Sequence, residues 1–167
     1  AGYTVKIACT RKTAPGLLYF DKKAVMIGGG DTHRLHLDDL ILIKDNHLKI
    51  AGGVTKTVKQ TKQIASFAKK IEVEVTTPKG AVDAAKAGAD IIMLDNMKPR
   101  QIKETMKELQ SQKLRDKVLI ELSGGITENN LLQYAATKPD IISLGALTES
   151  PNTIDMSLEL EKIVSKG

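Results

Sequence analysis

The sequence predicts an α/β fold, an incomplete and open β/α barrel with about six parallel strands, and three observations lead to it. Short β-branched runs alternate with longer stretches of helical apolar spacing, which is the signature of βα units laid around a parallel sheet. Polar and charged residues collect just past the carboxyl end of most of the runs. A closed eight-fold barrel takes about 250 residues, whereas this chain has 167, so six strands imply an incomplete barrel or a smaller doubly wound sheet, of which the incomplete barrel is preferred.

In chain order the runs are Val5 to Cys9, Leu40 to Ile43, Ile71 to Val75, Ile91 to Leu94, Val118 to Leu122 and Ile141 to Leu144. Between them, apolar residues recur at helical spacing over Thr55 to Lys69, Gly80 to Ala87, Pro99 to Gln112 and Thr127 to Thr137. Pro78, Pro99 and Thr127 stand where a first-turn or capping residue belongs. Gly88 after Ala87 ends one helix and turns it tightly into the next strand. Asp155 to Ser165 has the spacing of a terminal helix, and residues 1–167 read as one domain.

Composition narrows the function. The formal charge of +5 suggests an anionic partner, and much of the lysine falls on helices whose solvated faces account for it. Aromatic residues make up 3% with no tryptophan, so the stacking platforms of single-strand nucleic-acid binders are scarce, and no nucleic-acid partner is expected. No apolar run approaches the roughly 20 residues of a membrane span, and no secretory signal is visible. A single cysteine, Cys9, excludes an intrachain disulfide and a thiolate zinc cluster, and its apolar strand makes it a buried structural residue. A cytoplasmic setting fits.

The chemistry is expected where the strand ends converge, because in parallel α/β sheets ligands bind at the carboxyl ends of the strands. Arg11 and Lys12 follow the first strand, Lys44 the second, Asp95 the fourth, Ser123-Gly124-Gly125 the fifth and Gly145-Ala146 the sixth. The two glycine turns resemble the phosphate site of the last two βα loops of many barrels, where backbone N–H groups approach an anion closely. Arg11, Lys12, His33, Arg34 and Lys44 form a mixed set of cationic groups suited to a ligand with both carboxylates and phosphates. His33 reads as a donor to that ligand and His47 as structural. Glu72 and Glu74 share one face of their strand. Glu74 and Asp95 suit either a magnesium ion held through water or a ribose diol, since magnesium takes only one or two protein carboxylates. Ser123 has no histidine in a matching turn, so no nucleophilic triad is present.

The ordered motifs Thr10-Arg11-Lys12-Thr13-Ala14-Pro15-Gly16-Leu17, Gly28-Gly29-Gly30-Asp31-Thr32-His33-Arg34 and Ile43-Lys44-Asp45-Asn46-His47 closely resemble quinolinate phosphoribosyltransferases. So do Ile71-Glu72-Val73-Glu74-Val75, Met93-Leu94-Asp95-Asn96, Leu122-Ser123-Gly124-Gly125-Ile126 and Ser143-Leu144-Gly145-Ala146-Leu147-Thr148, so the resemblance covers nearly the whole chain. It implies the catalytic barrel of an enzyme that joins quinolinate to 5-phosphoribosyl 1-pyrophosphate with Mg2+, giving nicotinate mononucleotide, pyrophosphate and carbon dioxide.

By that resemblance Arg11, His33, Arg34 and Lys44 grip quinolinate. Lys12, Glu74 and Asp95 serve the phosphoribosyl pyrophosphate and its magnesium, and Ser123, Gly124, Gly125, Gly145 and Ala146 hold the 5-phosphate. Lys12, Lys44, Glu74 and Asp95 are the expected catalytic residues. The family's N-terminal sandwich domain is absent from this chain, and with it an arginine that a partner subunit lends, so a homodimer or higher assembly is implied for the full-length protein. Two positions depart from the pattern: Leu18 where arginine is usual, and Glu149 where some members place histidine. Glu149 is expected to face solvent. The alternatives are a nicotinate phosphoribosyltransferase, which handles one carboxylate, a non-catalytic phosphate-binding domain, and a nucleic-acid-binding module.

Overall fold

Each strand carries two different faces, and the sheet is built from that difference. Val73, Val75, Ile92, Leu94, Ile120, Leu122, Ile142 and Leu144 are buried in one apolar core with Ala81, Ala84, Ile102 and Leu109 of the surrounding helices. The alternating positions, Glu72, Met93, Glu121 and Ser143 among them, face the other side. In the computed structural model, which describes residues 2–161, this gives one six-stranded parallel sheet with the order β1-β6-β5-β4-β3-β2. The strands are β1 (Lys6–Cys9), β2 (Ile41–Ile43), β3 (Ile71–Val75), β4 (Ile91–Asp95), β5 (Leu119–Ser123) and β6 (Ile141–Leu144). Residues of both edge strands, Cys9 of β1 and Leu42 of β2, line a single cavity, so the sheet curls into an open barrel. The predicted fold class and all six strands are present, each within about a residue of its expected bounds.

The helices are α1 (Leu18–Ile27), α2 (Asp45–Ala51), α3 (Val54–Ile64), α4 (Pro78–Ala87), α5 (Pro99–Ser111), α6 (Leu131–Ala135) and α7 (Ala146–Glu149). Thr77 caps α4, its hydroxyl accepting from Gly80 N–H at 3.1 Å, with Pro78 in the first turn. Gly88 closes α4 at φ +93°, a conformation that glycine adopts without strain. Small residues on α4 bring it close to the sheet; a Cβ on Gly80 would meet Val75 at 3.3 Å.

Three expected helices differ. The one drawn from Thr55 to Lys69 stops at Ile64, because Ser66 opens a turn in which its Oγ accepts from Ala68 N–H. The one drawn from Thr127 to Thr137 shrinks to Leu131–Ala135, since Asn130 Oδ1 accepts from Thr127 N–H and holds residues 127–130 in a turn. Of the terminal helix, residues 155–161 have no regular structure and residues 162–165 lie outside the described residues. Met156, Leu158 and Leu160 are all exposed, and a short helix without a packed face is not stable in water.

The core on the helix side carries the stability. Leu122 is fully buried there; Leu122→Ala should cost about 2–5 kcal/mol by lost burial and residual cavity. The check is the shift of the denaturant midpoint at unchanged slope.

Candidate active site

The inner face of the sheet opens at the carboxyl ends of the strands into a cavity of about 740 Å3. All twelve residues singled out from the sequence line it, brought there by the strand ends and the loops after them. A larger cavity of about 1030 Å3 lies at the opposite ends, bounded by Tyr3, Lys6, Ile91, Leu119 and Ile141 at or near strand starts. The smaller one gathers the cations, carboxylates and glycine turns, and it occupies the end at which parallel barrels bind ligands.

Register explains how residues distant in sequence meet. Glu74 pairs with Met93, and Asp95 pairs with Ser123, so Asp95 stands two residues beyond Met93 on the same face as Glu74. Glu74 Oε2 is 3.3 Å from Lys44 Nζ, and Asp95 Oδ2 accepts from Asn96 Nδ2 at 2.8 Å. Lys44 is the residue before α2, where its own N–H donates to His47 Nδ1 at 2.9 Å. His47 is thereby the structural residue the sequence suggests, and it fixes the turn that delivers Lys44.

The glycine turns are dictated by close approach. Gly124 has φ +90°, and a Cβ there would lie 2.5 Å from the side chain of Asn96. Asn96 itself takes φ +53°, with its N–H donating to Ser123 O at 2.9 Å. Gly125 follows at φ +62°, and Asn130 Nδ2 donates to its carbonyl at 3.0 Å. Asn96 and Asn130 thus shape the Ser123–Gly125 loop, and neither was singled out; their turn chemistry was the available signal.

His33 lines the cavity, and its ring is also engaged within the protein. Its Nε2 faces inward, 3.0 Å from Glu121 Oε2 and 3.7 Å from Glu72 Oε2, while Nδ1 accepts from the Arg34 N–H at 2.9 Å. Both ring nitrogens are engaged within the protein because two fully buried carboxylates lie behind the ring. The preceding segment is pinned by Lys22 of α1, 2% exposed, whose Nζ donates to Thr32 O at 2.5 Å. Sequence reasoning missed Glu121, which accepts from Ser143 Oγ at 2.6 Å, and it missed α1. Glu149 is exposed, as expected, and it also lines the cavity, with Oε2 3.9 Å from Lys12 Nζ.

With this geometry in view, residues 1–159 match the family described as quinolinate phosphoribosyl transferase, C-terminal domain. The chain belongs to that family. The probable nicotinate-nucleotide pyrophosphorylase (carboxylating) of Methanothermobacter thermautotrophicus is 52% identical over 156 residues, 93% of this chain and 56% of that protein. The human nicotinate-nucleotide pyrophosphorylase (carboxylating) is 44% identical over 160 residues, 96% of this chain and 53% of that protein. Among solved structures, NadC from Streptococcus pyogenes superposes with a TM-score of 0.81 at 41% identity, covering 88% of this chain and 50% of that one. The chain therefore spans about half the length of the curated relatives it matches.

In this member of the quinolinate phosphoribosyl transferase family one buried acid under the cavity floor, Glu72, is held by its surroundings near neutrality. Burial pushes Glu72 up to about 7, the Glu121 charge adds to it, and His33 and Arg34 offset part of the rise. Among the described residues neither oxygen of Glu72 has a hydrogen-bond partner. Burial alone would lower His33, but its hydrogen bond to Glu121 and the charges of Glu121 and Glu72 outweigh that and raise it. The two bonds of the ring fit the neutral Nε2–H form; taking up a proton at Nδ1 would cost the Arg34 amide its acceptor.

These directions set a pH dependence of stability. The unfolded chain releases the Glu72 proton near 4.5 and the fold keeps it to about 7. That contribution is complete below pH 4.5 and is lost as pH rises towards about 7, and the raised His33 acts in the same direction above 6.5. Melting temperature should therefore fall between pH 5 and 8, and Glu72→Gln should flatten the fall. Thermal melts of both proteins across that range provide the check, and parallel curves would contradict the assignment to Glu72.

Proposed function

We propose that this chain forms the catalytic barrel of an enzyme that transfers phosphoribosyl from 5-phosphoribosyl 1-pyrophosphate to quinolinate with loss of carbon dioxide. The products are nicotinate mononucleotide and pyrophosphate. The supporting observation is the composition of one cavity. Arg11, Arg34 and Lys44 supply more positive charge than a single carboxylate needs, Glu74 and Asp95 share the next part of the wall, and two glycine turns close the far side. Relatives with 44–52% identity carry the name nicotinate-nucleotide pyrophosphorylase (carboxylating), which describes this reaction from its product side.

The residues divide the work by charge. Arg11, Arg34 and Lys44 hold the two ring carboxylates, the guanidinium forks pairing bidentately where lysine acts as a point charge. Lys12 faces the phosphate groups. The turns at Ser123–Gly125 and Gly145–Ala146 offer backbone N–H groups to the 5-phosphate. As pyrophosphate leaves, positive charge develops at the anomeric carbon, and the carboxylates of Glu74 and Asp95 stabilise it without any covalent intermediate. His33, seated on Glu121, holds the backbone at Arg34 in place.

Magnesium fits this donor set. Glu74 and Asp95 are hard oxygen donors on adjacent strands, and each has a second oxygen besides the one engaged by Lys44 or Asn96. Glu74 and Asp95 would hold the ion, which would supply positive charge to offset that of the leaving pyrophosphate. We further propose that the full-length protein works as a homodimer or higher assembly in the cytoplasm. Among the described residues no helix is long and apolar enough to cross a membrane.

Two measurements test the assignment. Quinolinate, phosphoribosyl pyrophosphate and magnesium should yield pyrophosphate and carbon dioxide together, and nicotinate should yield neither; pyrophosphate release with nicotinate would favour the single-carboxylate reaction instead. Arg34→Ala should weaken quinolinate binding by at least about 30-fold, as loss of one partner of a desolvated charge pair does. It should leave phosphoribosyl pyrophosphate binding nearly unchanged, and Glu74→Ala should show the reverse. Titrating each ligand into both variants reads this out, and equal losses for both ligands would overturn the division of roles.

A further inference from the structure

Glu149 places a negative charge at the end of the cavity that the proposed reaction reserves for phosphate. It ends α7, and its N–H donates to Gly145 O at 2.8 Å. The residue before it, Thr148, is 1% exposed and donates from Oγ1 to the Lys12 carbonyl at 2.7 Å. Position 149 is therefore fixed from two sides relative to the loop that carries Lys12. Its side chain then folds over Gly145: Oε2 would lie 3.0 Å from a Cβ built there, and Lys12 Cδ and Thr10 Oγ1 would lie 3.8 Å from the same point. The missing side chain of Gly145 leaves the space in which Glu149 Oε2 comes within 3.9 Å of Lys12 Nζ.

We propose that Glu149 is an internal competitor for Lys12, an affinity-setting residue that occupies the cation until a substrate phosphate displaces it. The inference rests on the reading of this end of the cavity as the phosphate end. The two side chains are 71% and 57% exposed, so their attraction is weak and easily exchanged. A phosphate carries up to about two negative charges and three acceptor oxygens, and it can also use the backbone N–H groups of the neighbouring turns, so it outcompetes a lone carboxylate. Once displaced, the carboxylate remains tethered close by and repels the bound anion, which weakens binding and favours release. In the ligand-free state the same contact keeps Lys12 directed across Gly145.

The experiment is calorimetric titration of the wild-type chain, Glu149→Gln and the control Glu104→Gln. Glu104 pairs with Arg100 on the outer helix α5, so the control removes the same unit of charge away from the cavity. The probes are inorganic phosphate, magnesium phosphoribosyl pyrophosphate and quinolinate. Glu149→Gln should bind the two phosphate probes roughly threefold to tenfold more tightly, the size expected for removing one like charge at a few ångströms in a half-solvated site. Quinolinate affinity should stay within about twofold, and Glu104→Gln should match the wild type throughout. A gain in affinity is a readout that loss of a merely structural contact would not give. Unchanged or weaker phosphate binding by Glu149→Gln, with the wild type still binding, would overturn the inference alone. If no form of the chain bound either phosphate probe, the phosphate reading of this end would fall, and the inference with it.

Discussion

The two-faced character of the strands is the constraint on which everything else depends. A parallel sheet covered by helices on one side needs apolar residues at alternate positions, and Val73, Ile92, Ile120 and Ile142 meet that need. The intervening positions are then free of the helix core. Because the sheet curls until both edges line one cavity, every inward side chain near the carboxyl ends joins one wall, whatever its place in the chain. Charged residues from seven separate segments, Arg11–Lys12, Arg34, Lys44, Glu74, Asp95, Glu121 and Glu149, thus become neighbours.

Inward positions deeper in the barrel show what this arrangement costs. Glu72 and Glu121 are both fully buried, and a buried carboxylate without partners is expensive. Glu121 is satisfied by Ser143 and His33, whereas Glu72 has no hydrogen bond among the described residues and is pushed towards its protonated form. The pair nevertheless does something for the site. It draws His33 inward, and the ring in turn accepts from the Arg34 amide, with His33 at φ +52°. The direction in which Arg34 leaves the backbone is set from beneath the cavity floor, not from its rim.

How much of this the sequence disclosed follows from the range of the forces involved. The six strands and the residues after them were legible because β-branched runs and strand-end polarity are local signals. So were the glycine turns at Gly124 and Gly145. The helix at Leu18–Ile27 was not, because its apolar residues Tyr19, Phe20, Met26 and Ile27 are exposed and Lys22 is the residue it buries, the inverse of an ordinary amphipathic pattern. The inward turn of His33 was equally hidden, because it depends on Glu121, 88 positions away. Glu149 was marked as a departure, but its direction comes from the Thr148 bond to Lys12, 136 positions apart in the chain.

The charge distribution of the cavity bears on the ligand proposed for it. Arg11, Lys12, Arg34 and Lys44 line it together with Glu74, Asp95, Glu121 and Glu149, so it is not a simple trap for anions. The cations stand just past β1 and β2 and in the segment between them, at the open side of the barrel, while Glu74, Asp95 and Glu121 stand on the adjacent strands β3, β4 and β5. A uniformly anionic ligand would gain at one side of such a cavity and lose at the other. A ligand with anionic groups at its ends and a centre that becomes positive as a bond breaks would gain at both, and most of all at the moment of breaking. Preorganised charge of this kind favours the transition state over the bound ground state. The strand alternation that builds the barrel is what keeps the carboxylates of β3, β4 and β5 on its inner face, beside the cations that follow the edge strands.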